Sequence, residues 1–542
     1  MGCPTLTFDW TSSPLETLAA DALLIAVKTP PGLDASNSVH DKNSKAPKWM
    51  TIDPASSLAT LDAALKGLVQ QAIEEERFTG AKGSTVIIRV AASDAASACK
   101  RIVLVGVGTP KQHHARELKK SLLKGASAAL SPDWVSSLAV CLCVQDSCCA
   151  QLSENLLRAV VDGIYAATYQ SMEAKADNAS KLASVLLHQG QAPSAQQQAD
   201  LKVLQASALA KAFAKDYVNH PSNLKSTQTM VDAANSLSAY CGVEVAVEVN
   251  PEWIAQHMPC FYTVALGSVQ SDPPKWIRVT VKPEGEIKTH IALVGKTVVF
   301  DTGGYQVKPD NYMCTMKGDM TGGAVTLGAI KALGELGGKL ALKQGVMVSA
   351  YLAATPNKID SLAMLPDSIV NTTCGKKVEI RHTDAEGRLT LIDAVAMAAK
   401  ESTEKGVTPD VIVTTATLTG SASRAVGECI AVMANQEAIE GGWAEKLLNA
   451  AKKAGDPAQA LDVWESDFDD IKSKLDGADI INTSQNKNRG AQSAAAFVMS
   501  GAPAGQALIH LDIAGADMTG DEKATGIAQD TLIEFVLSAL RA

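Results

Sequence analysis

The sequence is poor in aromatic residues, in basic charge and in long apolar runs. Phe, Trp and Tyr make up 4% of its 542 residues, which favours closely packed helices on sheets over an aromatic-rich β-sandwich. Asp and Glu outnumber Lys and Arg by 58 to 49, and the net charge of −9 argues against a general nucleic-acid binder, which needs a basic face. No apolar run approaches the ~18 residues that cross a bilayer. We therefore expect neither nucleic acid nor a membrane as a partner.

A secretory signal and a regular cysteine framework are also missing. The first ten residues, MGCPTLTFDW, lack both a basic start and an apolar core. Eleven cysteines are scattered without a repeating spacing, which predicts reduced thiols in a cytoplasmic protein. The cluster CLCVQDSCC at 141–149 could be taken for a metal motif, but its apolar neighbours favour buried strand cysteines. Without secretion, the Asn-x-Ser/Thr triplets at Asn178, Asn371 and Asn482 predict no glycosylation.

What the sequence has in abundance is the alternation of short apolar runs with helical patterns, which is typical of an α/β fold. In the first part of the chain this pattern predicts strands at 21–28, 84–91 and 101–108 and helices at 61–75 and 117–130. The polar, Gln-rich stretch 188–200 has the composition of a linker. A predicted helix at 201–219 follows it and ends before Pro221.

The second part of the chain resumes the same alternation. It predicts strands at 290–300, 344–354, 378–380, 410–418 and 506–515 and helices at 322–336, 389–402 and 531–542. We expect an α/β protein of two domains, 1–190 and 220–542, joined by a linker and connecting helix at 191–219. Each domain is expected to contain a mostly parallel sheet flanked by helices, with binding sites beyond the carboxyl ends of the strands.

Charged residues gather at two of these strand ends. Asp301, Lys308 and Asp319 follow the strand at 290–300, while Asp384 and Glu386 follow the strand at 378–380. Four carboxylates at one place repel each other, which raises their pKa values and destabilises the fold, and two divalent cations would remove that conflict. No His or Cys cluster is present nearby in the sequence. The site is therefore rich in oxygen ligands, which suits Mg or Mn, and a nitrogen ligand would move the preference toward Zn or Co.

Two alternatives stay open for these residues. Lys296, inside the strand, is the candidate nitrogen ligand if burial and adjacent cations lower its pKa, but a lysine that extends to solvent or pairs with Asp301 is the simpler interpretation. Asp384 and Glu386 suit the N-terminal cap of the following helix. Their spacing, however, places both carboxylates and Arg388 on one side of an extended segment, where the arginine can hold an anion near the helix start.

The order and spacing of several motifs resemble the leucyl aminopeptidases of the M17 metallopeptidase family. The motifs are VGKTVVFDTGGYQVKP (294–309), MKGDMTGGA (316–324), HTDAEGRL (382–389), KDYVNHPSN (215–223), ATLTG (416–420), RGAQSAAAF (489–497) and HLDIAG (510–515). The resemblance covers the chain from about residue 200 to the end, and the first part matches loosely through VLVGVGTPK at 103–111.

This resemblance implies an aminopeptidase with two divalent ions per subunit, Zn or Mn, with Co or Mg as alternatives. Asp301 and Glu386 would bridge both ions, and Asp384 would complete one of the two sites. Lys296 and Asp319 would complete the other, which replaces the simpler interpretation of the lysine.

The resemblance also implies roles outside the metal ligands. Lys308 would stabilise the oxyanion that develops on the substrate, and Arg388 would hold a bicarbonate that carries the proton. The family implies peptide substrates, a C-terminal catalytic domain and a cytoplasmic homohexamer. It assigns substrate contacts to six residues: Lys308, Met316, Thr417, Leu418, Gly420 and Ala514. A methionine makes an adaptable apolar wall, which is consistent with Leu-like first side chains.

Three positions depart from the family pattern. His382 stands where Asn is usual, and Thr297 stands where Gly is usual, beside the expected ligand Lys296. Asp517 stands where some relatives place an apolar pocket residue. The last departure argues against a narrow Leu preference and admits a basic or polar first side chain.

Three other functions fit the sequence less well. A two-metal phosphoesterase also uses paired carboxylates, but it would need His ligands or a basic phosphate cradle, and neither is evident in the sequence. A nucleic-acid-binding regulator conflicts with the acidic net charge. A scaffold with an inactive site is disfavoured because all seven expected metal-binding and catalytic residues are present.

Overall fold

The computed structural model describes residues 4–30, 33, 49–91, 99–109, 115–141, 149–171, 180–283, 285–336, 345–484 and 486–539. Its contacts divide the chain into two compact units, Met1–Leu209 and Ala210–Ala542. The division falls inside a long helix, Ala195–Asn219. The domain limits drawn from the sequence, at 190 and 219, stay a prediction.

The N-terminal unit is built on a six-stranded sheet. Its strands are β1 (Thr7–Thr11), β2 (Ala22–Lys28), β3 (Thr85–Arg89), β4 (Arg101–Gly108), β5 (Ser137–Cys141) and β6 (Ser184–His188). Its helices are α1 (Ser57–Ala64), α2 (Leu68–Glu75), α3 (Ala115–Leu130), α4 (Cys149–Thr168) and the first part of α5 (Ala195–Asn219). The strand order is β1-β6-β5-β2-β4-β3, and all neighbours are parallel except β3 and β4.

The predictions for this unit are confirmed in its strands and partly wrong in its helices. The three predicted strands are β2, β3 and β4, and the first and last of these are almost wholly buried, which explains their continuous apolar runs. The helix predicted at 61–75 is two helices, because Lys66 and Gly67 adopt positive φ angles of 56° and 86°. Within the cysteine cluster, Cys141 is a buried strand residue as predicted, but Cys149 begins α4. The residues between them lie outside the described part of the chain.

The C-terminal unit contains eleven strands and eleven helices that the structure describes in full, besides the end of α5. The strands are β7 (Val243–Glu248), β8 (Lys275–Val281), β9 (Thr289–Asp301), β10 (Val346–Asn357), β11 (Ser368–Asn371), β12 (Lys377–Ile380), β13 (Val411–Ala416), β14 (Ile430–Ala434), β15 (Ala458–Ala460), β16 (Ile480–Ile481) and β17 (Leu508–Asp512). The helices are α6 (Thr227–Ser236), α7 (Pro251–His257), α8 (Pro259–Ala265), α9 (Thr321–Glu335), α10 (Glu386–Glu404), α11 (Gly420–Val426), α12 (Gln436–Glu440), α13 (Trp443–Ala454), α14 (Glu465–Asp469), α15 (Gly490–Met499) and α16 (Gln529–Ala539).

An eight-stranded sheet forms the centre of this unit, in the order β15-β14-β17-β13-β9-β10-β8-β7. Its middle strands, β17-β13-β9-β10, are parallel, as predicted. The flanking pairs β14–β17, β10–β8 and β8–β7 are antiparallel, and the strands β7 and β8 were not predicted from the sequence. Both α9 and α10 pack against β9, and a separate sheet has the order β11-β12-β16. The mixed α/β class with parallel-rich sheets is therefore confirmed.

Two predicted element boundaries are wrong. The stretch 188–200 is not a linker throughout, because α5 already begins at Ala195. Ser194 and Gln197 form a reciprocal capping box there, with the Ser194 N–H donating to the Gln197 side chain at 2.9 Å and the Gln197 N–H donating to Ser194 Oγ at 3.1 Å. The helix predicted to start at Leu389 begins at Glu386. None of the helices formed by described residues has both the length and the apolar character that a membrane span requires.

Candidate metal centre

The central strand β9 supplies two of the predicted site residues. Lys296 lies within the strand and Asp301 ends it, and their exposed fractions are 3% and 2%. Parallel neighbours on both sides, β10 and β13, hold the strand in the middle of the sheet. Asp301 therefore projects at the carboxyl edge, where the architecture was expected to place its site.

The third residue, Asp319, is brought to β9 by a turn and by the glycine-rich start of α9. A Cβ on Gly322 would lie 2.0 Å from Thr415 O, and one on Gly323 would lie 2.2 Å from Thr297 Oγ1. The absence of side chains at these two positions lets the helix start lie directly on the strand. The missing side chain of Gly323 also leaves room for Thr297, which stands where Gly is usual in the family. The Thr297 hydroxyl occupies this space and donates to Gly295 O.

The loop between β12 and α10 supplies Asp384 and Glu386. Glu386 is the first residue of α10, and the N-cap residue, Ala385, makes no side-chain cap. Neither carboxylate therefore lies at the N-cap position, although Glu386 stands in the first turn of the helix. A Cβ on Gly387 would lie 2.5 Å from Lys296 Cε, so this glycine makes room for the lysine to cross the helix start.

The five residues form a compact network of ion pairs with Lys308. Lys296 Nζ lies 2.5 Å from Asp319 and 3.0 Å from Glu386. Lys308 Nζ lies 2.8 Å from Asp301 and 2.5 Å from Asp384. Lys296 therefore pairs with two other carboxylates rather than with Asp301, its partner in the simpler interpretation of the sequence.

Three of the carboxylates meet the geometric requirement for a common cation. Ligand oxygens of Asp301, Asp384 and Glu386 all lie within 4.8 Å of one another. In addition, Asp319 Oδ2 and Glu386 Oε2 are buried and accept no hydrogen bond from any residue in the described ranges. Buried carboxylate oxygens normally have partners, and divalent cations would provide them. The residues present thus fit a metal centre.

The pKa values of the carboxylates show the same conflict of charges. Burial, together with the Glu386 carboxylate, raises the pKa of Asp301 to about 7 against the opposing effect of Lys308. Burial also raises the pKa of Asp319 well above its usual range. For Glu386, burial acts upward, but Lys296 and Lys308 outweigh it and lower the pKa. The negative charge of the clustered carboxylates is therefore not fully balanced by Lys296 and Lys308.

The charge of Lys296 is fixed by the same neighbours. Burial acts to lower the pKa of this lysine, but the carboxylates of Asp319, Glu386 and Asp301 outweigh burial and raise it. The side chain also donates to Thr417 O at 3.0 Å. Without metal ions the lysine is accordingly a cation held by two carboxylates, and cations in the centre would have to displace its proton before it could offer a lone pair.

Arg388 is buried beside the cluster with unused hydrogen-bonding capacity. It is 9% exposed, and its Nε has no acceptor among the residues that the structure describes. Burial lowers the pKa of its guanidinium to about 10, which leaves it charged at neutral pH. A guanidinium of this kind suits an anion.

The predicted substrate-contact residues lie in three segments around the cluster. Thr417 Oγ1 donates to Asp319 Oδ1 at 2.8 Å, which places it against the cluster. Asp512 Oδ1 accepts the backbone N–H groups of Leu418 at 3.1 Å and Ala514 at 3.2 Å, and so brings these two segments together. Met316 begins the one-turn helix that leads to Asp319, and Gly420 is exposed at the start of α11, where no described contact ties it to the cluster.

Two asparagines that support the site were missed in the sequence. Asn357, at the end of β10, donates to Asp301 Oδ1 at 2.8 Å and to Thr383 O at 3.1 Å. Asn482, which is 0% exposed, bonds four backbone groups of the loop 381–385. Asn357 ends a buried strand and Asn482 directly follows one, a position that can indicate a site residue but does not identify its partners. In the sequence, Asn482 stands out only as part of an Asn-x-Ser/Thr triplet.

Comparisons with known proteins agree with this geometry. The catalytic-domain model of the cytosol aminopeptidase family matches residues 212–533, and the N-terminal-domain model of the same family matches residues 51–178. The chain is 31% identical to the chloroplastic leucine aminopeptidase of Solanum tuberosum over 89% of this chain and 80% of that protein. It is also 31% identical to a probable cytosol aminopeptidase of Cyanothece sp. over 90% of this chain and 95% of that protein.

A solved structure extends the agreement to the whole fold. A mutant of tomato leucine aminopeptidase superposes with a TM-score of 0.81 at 28% identity, covering 99% of this chain and 97% of the other. The bottromycin maturation enzyme BotP in complex with Mn, at 23% identity and a TM-score of 0.76, shares the fold. The chain belongs to the cytosol aminopeptidase (M17) family, and it is a metal-dependent aminopeptidase.

Proposed function

We propose that this aminopeptidase holds two divalent ions with Lys296, Asp301, Asp319, Asp384 and Glu386. Asp301 and Glu386 would bridge the ions, Asp384 would complete one site, and Lys296 with Asp319 would complete the other. The observation that carries the proposal is the convergence of four buried or half-buried carboxylates, two of which have oxygens without a partner in the described part of the chain. Zn or Mn suits one nitrogen among carboxylate ligands, with Co or Mg as alternatives.

Bound ions of this kind acidify water and polarise a peptide carbonyl, and the protein supplies the remaining groups. Lys308 is 14% exposed and reaches the same two carboxylates, Asp301 and Asp384, as the proposed ions. Once those carboxylates hold cations, the Lys308 ammonium is free to donate to the oxyanion that develops on the substrate carbonyl. The Thr417 hydroxyl donates to Asp319 and so holds this proposed ligand in place.

Proton transfer is assigned to an anion held by Arg388. Its guanidinium is buried at the first turn of α10 and has an unused donor, so it can fix a bicarbonate beside Glu386. Bound there, the anion would supply an acid–base group beside the metal centre. Replacing Arg388 by Lys would keep the charge but lose the planar array of donors.

The substrate class follows from the side chains around the cluster. A free amino group at the end of a peptide can approach the metal centre, which is the reason for action on the first residue. We propose that Met316, Thr417, Leu418, Gly420 and Ala514, together with Lys308, contact that residue. The mixture of apolar side chains and backbone groups suits Leu-like first residues, which agrees with the activity in the names of the relatives.

We further propose a cytoplasmic homohexamer built from two-domain subunits, with the limits 1–190, 191–219 and 220–542. Exposed apolar side chains near the site support an interface between copies. They include Tyr305, Val307 and Tyr312 on one segment and Leu362 and Leu365 on another. The two segments are joined by the Tyr305 hydroxyl, which donates to Asp360 O at 3.0 Å. Apolar patches of this kind mark protein contacts, and sedimentation of the full chain tests the assembly.

Hydrolysis of Leu-p-nitroanilide tests the proposed chemistry. The full chain is expected to hydrolyse it, a chelator to abolish the activity, and Mn or Zn to restore it. The double variant Asp384→Ala, Lys308→Ala is expected to lose it, because a ligand and the oxyanion donor are both removed. Undiminished activity in that variant would refute the assignment. Turnover of a phosphate ester, or a salt-sensitive gel shift with DNA, would instead favour one of the two other functions.

A further inference from the structure

Asp517 lies next to the turn that carries a pocket residue and a proposed ligand. Its Oδ2 is 3.4 Å from the position that a Cβ on Gly318 would occupy. Gly318 ends the one-turn helix that begins at Met316, and Asp319 follows directly. The Asp517 carboxylate therefore lies beside the segment that connects the proposed pocket to the metal centre.

The loop that carries Asp517 is also tied to the segment that carries Leu418. It continues from β17 through Ala514, whose N–H shares the acceptor Asp512 Oδ1 with the N–H of Leu418. Thr525 secures the other side, because its N–H and hydroxyl both donate to Asp517 O, at 2.9 and 3.1 Å. Asp517 is thus held between the 316–318 turn and the 512–516 segment.

The Asp517 carboxylate forms no ion pair with any residue that the structure describes. It accepts its own N–H and that of Met518, and within the described part of the chain no Lys, Arg or His side chain forms an ion pair with it. Burial raises the pKa of Asp517 to about 7, and the Asp512 carboxylate adds to the shift, while the two backbone N–H groups and the more distant charge of Lys296 oppose it. A carboxylate that is partly removed from water and unpaired is costly to ionise, and a cationic ligand would remove that cost.

We propose that Asp517 accepts the charged end of a Lys or Arg side chain at the first position of the substrate. The inference rests on the proposed function and adds basic N-terminal residues to its Leu-like substrates. The aliphatic stem of Lys or Arg can pack on Met316 and Leu418 as a Leu side chain would. The Asp517 carboxylate, beside the turn that begins at Met316, would then form a charge-assisted hydrogen bond with the terminal cation.

The test compares Lys and norleucine substrates, whose aliphatic chains are matched and which differ in the terminal ammonium. The Mn-loaded full chain is assayed with the fluorogenic amides of Lys, Arg, norleucine and Leu, and kcat/KM is measured for each. In Asp517→Asn, which keeps the turn acceptor and removes the charge, the ratio of Lys to norleucine is expected to fall by about tenfold or more. Asp517→Ser, a second variant with a turn acceptor, is expected to lower the ratio in the same way.

Asp521→Asn is the matched control, because Asp521 is exposed in the same loop and the net charge changes equally. Its ratio is expected to equal that of the unmodified chain. An unchanged ratio in both Asp517 variants would overturn the proposal and leave Asp517 as a turn residue. Failure of the unmodified, metal-loaded chain to cleave any of the four substrates would count against the proposed function instead.

Discussion

At the scale of single residues, the proposed metal centre depends on the side-chain amide of Asn482. This amide does not contact the carboxylates of the proposed ligands. Asn482 Oδ1 accepts the N–H groups of Arg381 at 2.8 Å and His382 at 3.2 Å. Its Nδ2 donates to His382 O at 2.7 Å and Ala385 O at 3.3 Å. Because the loop it holds carries Asp384 and leads into Glu386, Asn482 is a positioning residue for both.

Asn482→Ala is expected to destabilise the loop and weaken metal binding. Loss of the amide leaves buried backbone groups without partners, which lowers the free energy of unfolding by about 3 kcal/mol. Metal affinity is expected to fall by about tenfold or more, as for other partners that orient ligands. Thermal unfolding and titration calorimetry with Mn measure the two effects. Asn371→Ala, at an exposed asparagine of β11, is the control, and equal behaviour of the two variants would contradict the assigned role.

His382 stands where Asn is usual in the family, and its side chain makes the same backbone hydrogen bond that an Asn would make. Its Nδ1 accepts the Asp384 N–H at 3.2 Å, which is the bond that an Asn side chain makes to the backbone two residues on. We expect His382→Asn to retain metal affinity and His382→Ala to lose it by a factor of about ten. Calorimetric titration with Mn compares the three proteins. If the alanine variant binds as tightly as the unmodified chain, this hydrogen bond has no positioning role.

At the scale of elements, the contact between α9 and β9 sets the distance between Asp319 and Lys296. Gly295, Gly322 and Gly323 allow this approach, since an added Cβ on Gly295 would lie 2.6 Å from Gly323 Cα. The sequence predicted both elements but not their separation, because the same glycines are compatible with an ordinary loop. Close approach becomes visible only when the partner backbone is in place.

Gly322→Ala is expected to separate the helix from the strand. Its Cβ would lie 2.0 Å from Thr415 O, a backbone atom in the middle of the sheet that cannot move aside easily. Overpacking of this kind costs about 1–3 kcal/mol, and it should lower both the thermal midpoint and the metal affinity. Gly520→Ala serves as the control, because its added Cβ meets nothing within 4 Å. A Gly322→Ala protein that unfolds at the temperature of the control would contradict the argument.

Within β17, His510 makes the stability of the chain depend on pH. Burial, and then Arg388, lowers the pKa of this histidine to about 3, and Thr414 bonds its Nδ1 at 2.7 Å. The unfolded chain, with an ordinary pKa of about 6.5, takes up a proton that the folded chain refuses, so stability is lost as the pH falls below about 6.5. Between pH 7 and pH 5 the thermal midpoint should fall less in His510→Asn than in the unmodified chain. Equal falls would show that His510 does not contribute.

The sequence predicted the parallel centre of the second sheet because its strands are continuous apolar runs, as in β9 and β10. It missed β7, which has only one buried residue, and β14, which lies between the predicted strands 410–418 and 506–515, where no element was assigned. The four proposed carboxylate ligands were predicted from their places at strand ends, whereas Lys296, inside a strand, was assigned only through the family resemblance; the structure brings all five together. The contacts of Asn357 and Asn482 could not be predicted, because their partner loops lie 26 and 100 residues away in the chain.

At the scale of the whole molecule, every residue proposed for chemistry belongs to one unit, Ala210–Ala542. The N-terminal unit has its own sheet and its own buried core, which includes Leu24, Val103 and Leu138. Two family models match the two parts of the chain separately, in keeping with this organisation. We therefore place catalysis in the second unit and claim that its carboxylate cluster binds two divalent ions.

The metal content of the purified full chain tests that claim most directly. The protein is stripped with a chelator, reloaded with Mn or Zn, desalted and measured by elemental mass spectrometry. We expect two ions per chain in the unmodified protein and fewer than one in Glu386→Gln, because Glu386 would bridge both ions. Glu404→Gln, at the exposed far end of the same helix, should keep two. One ion or none in the unmodified chain, or two ions retained in Glu386→Gln, would contradict the two-metal centre.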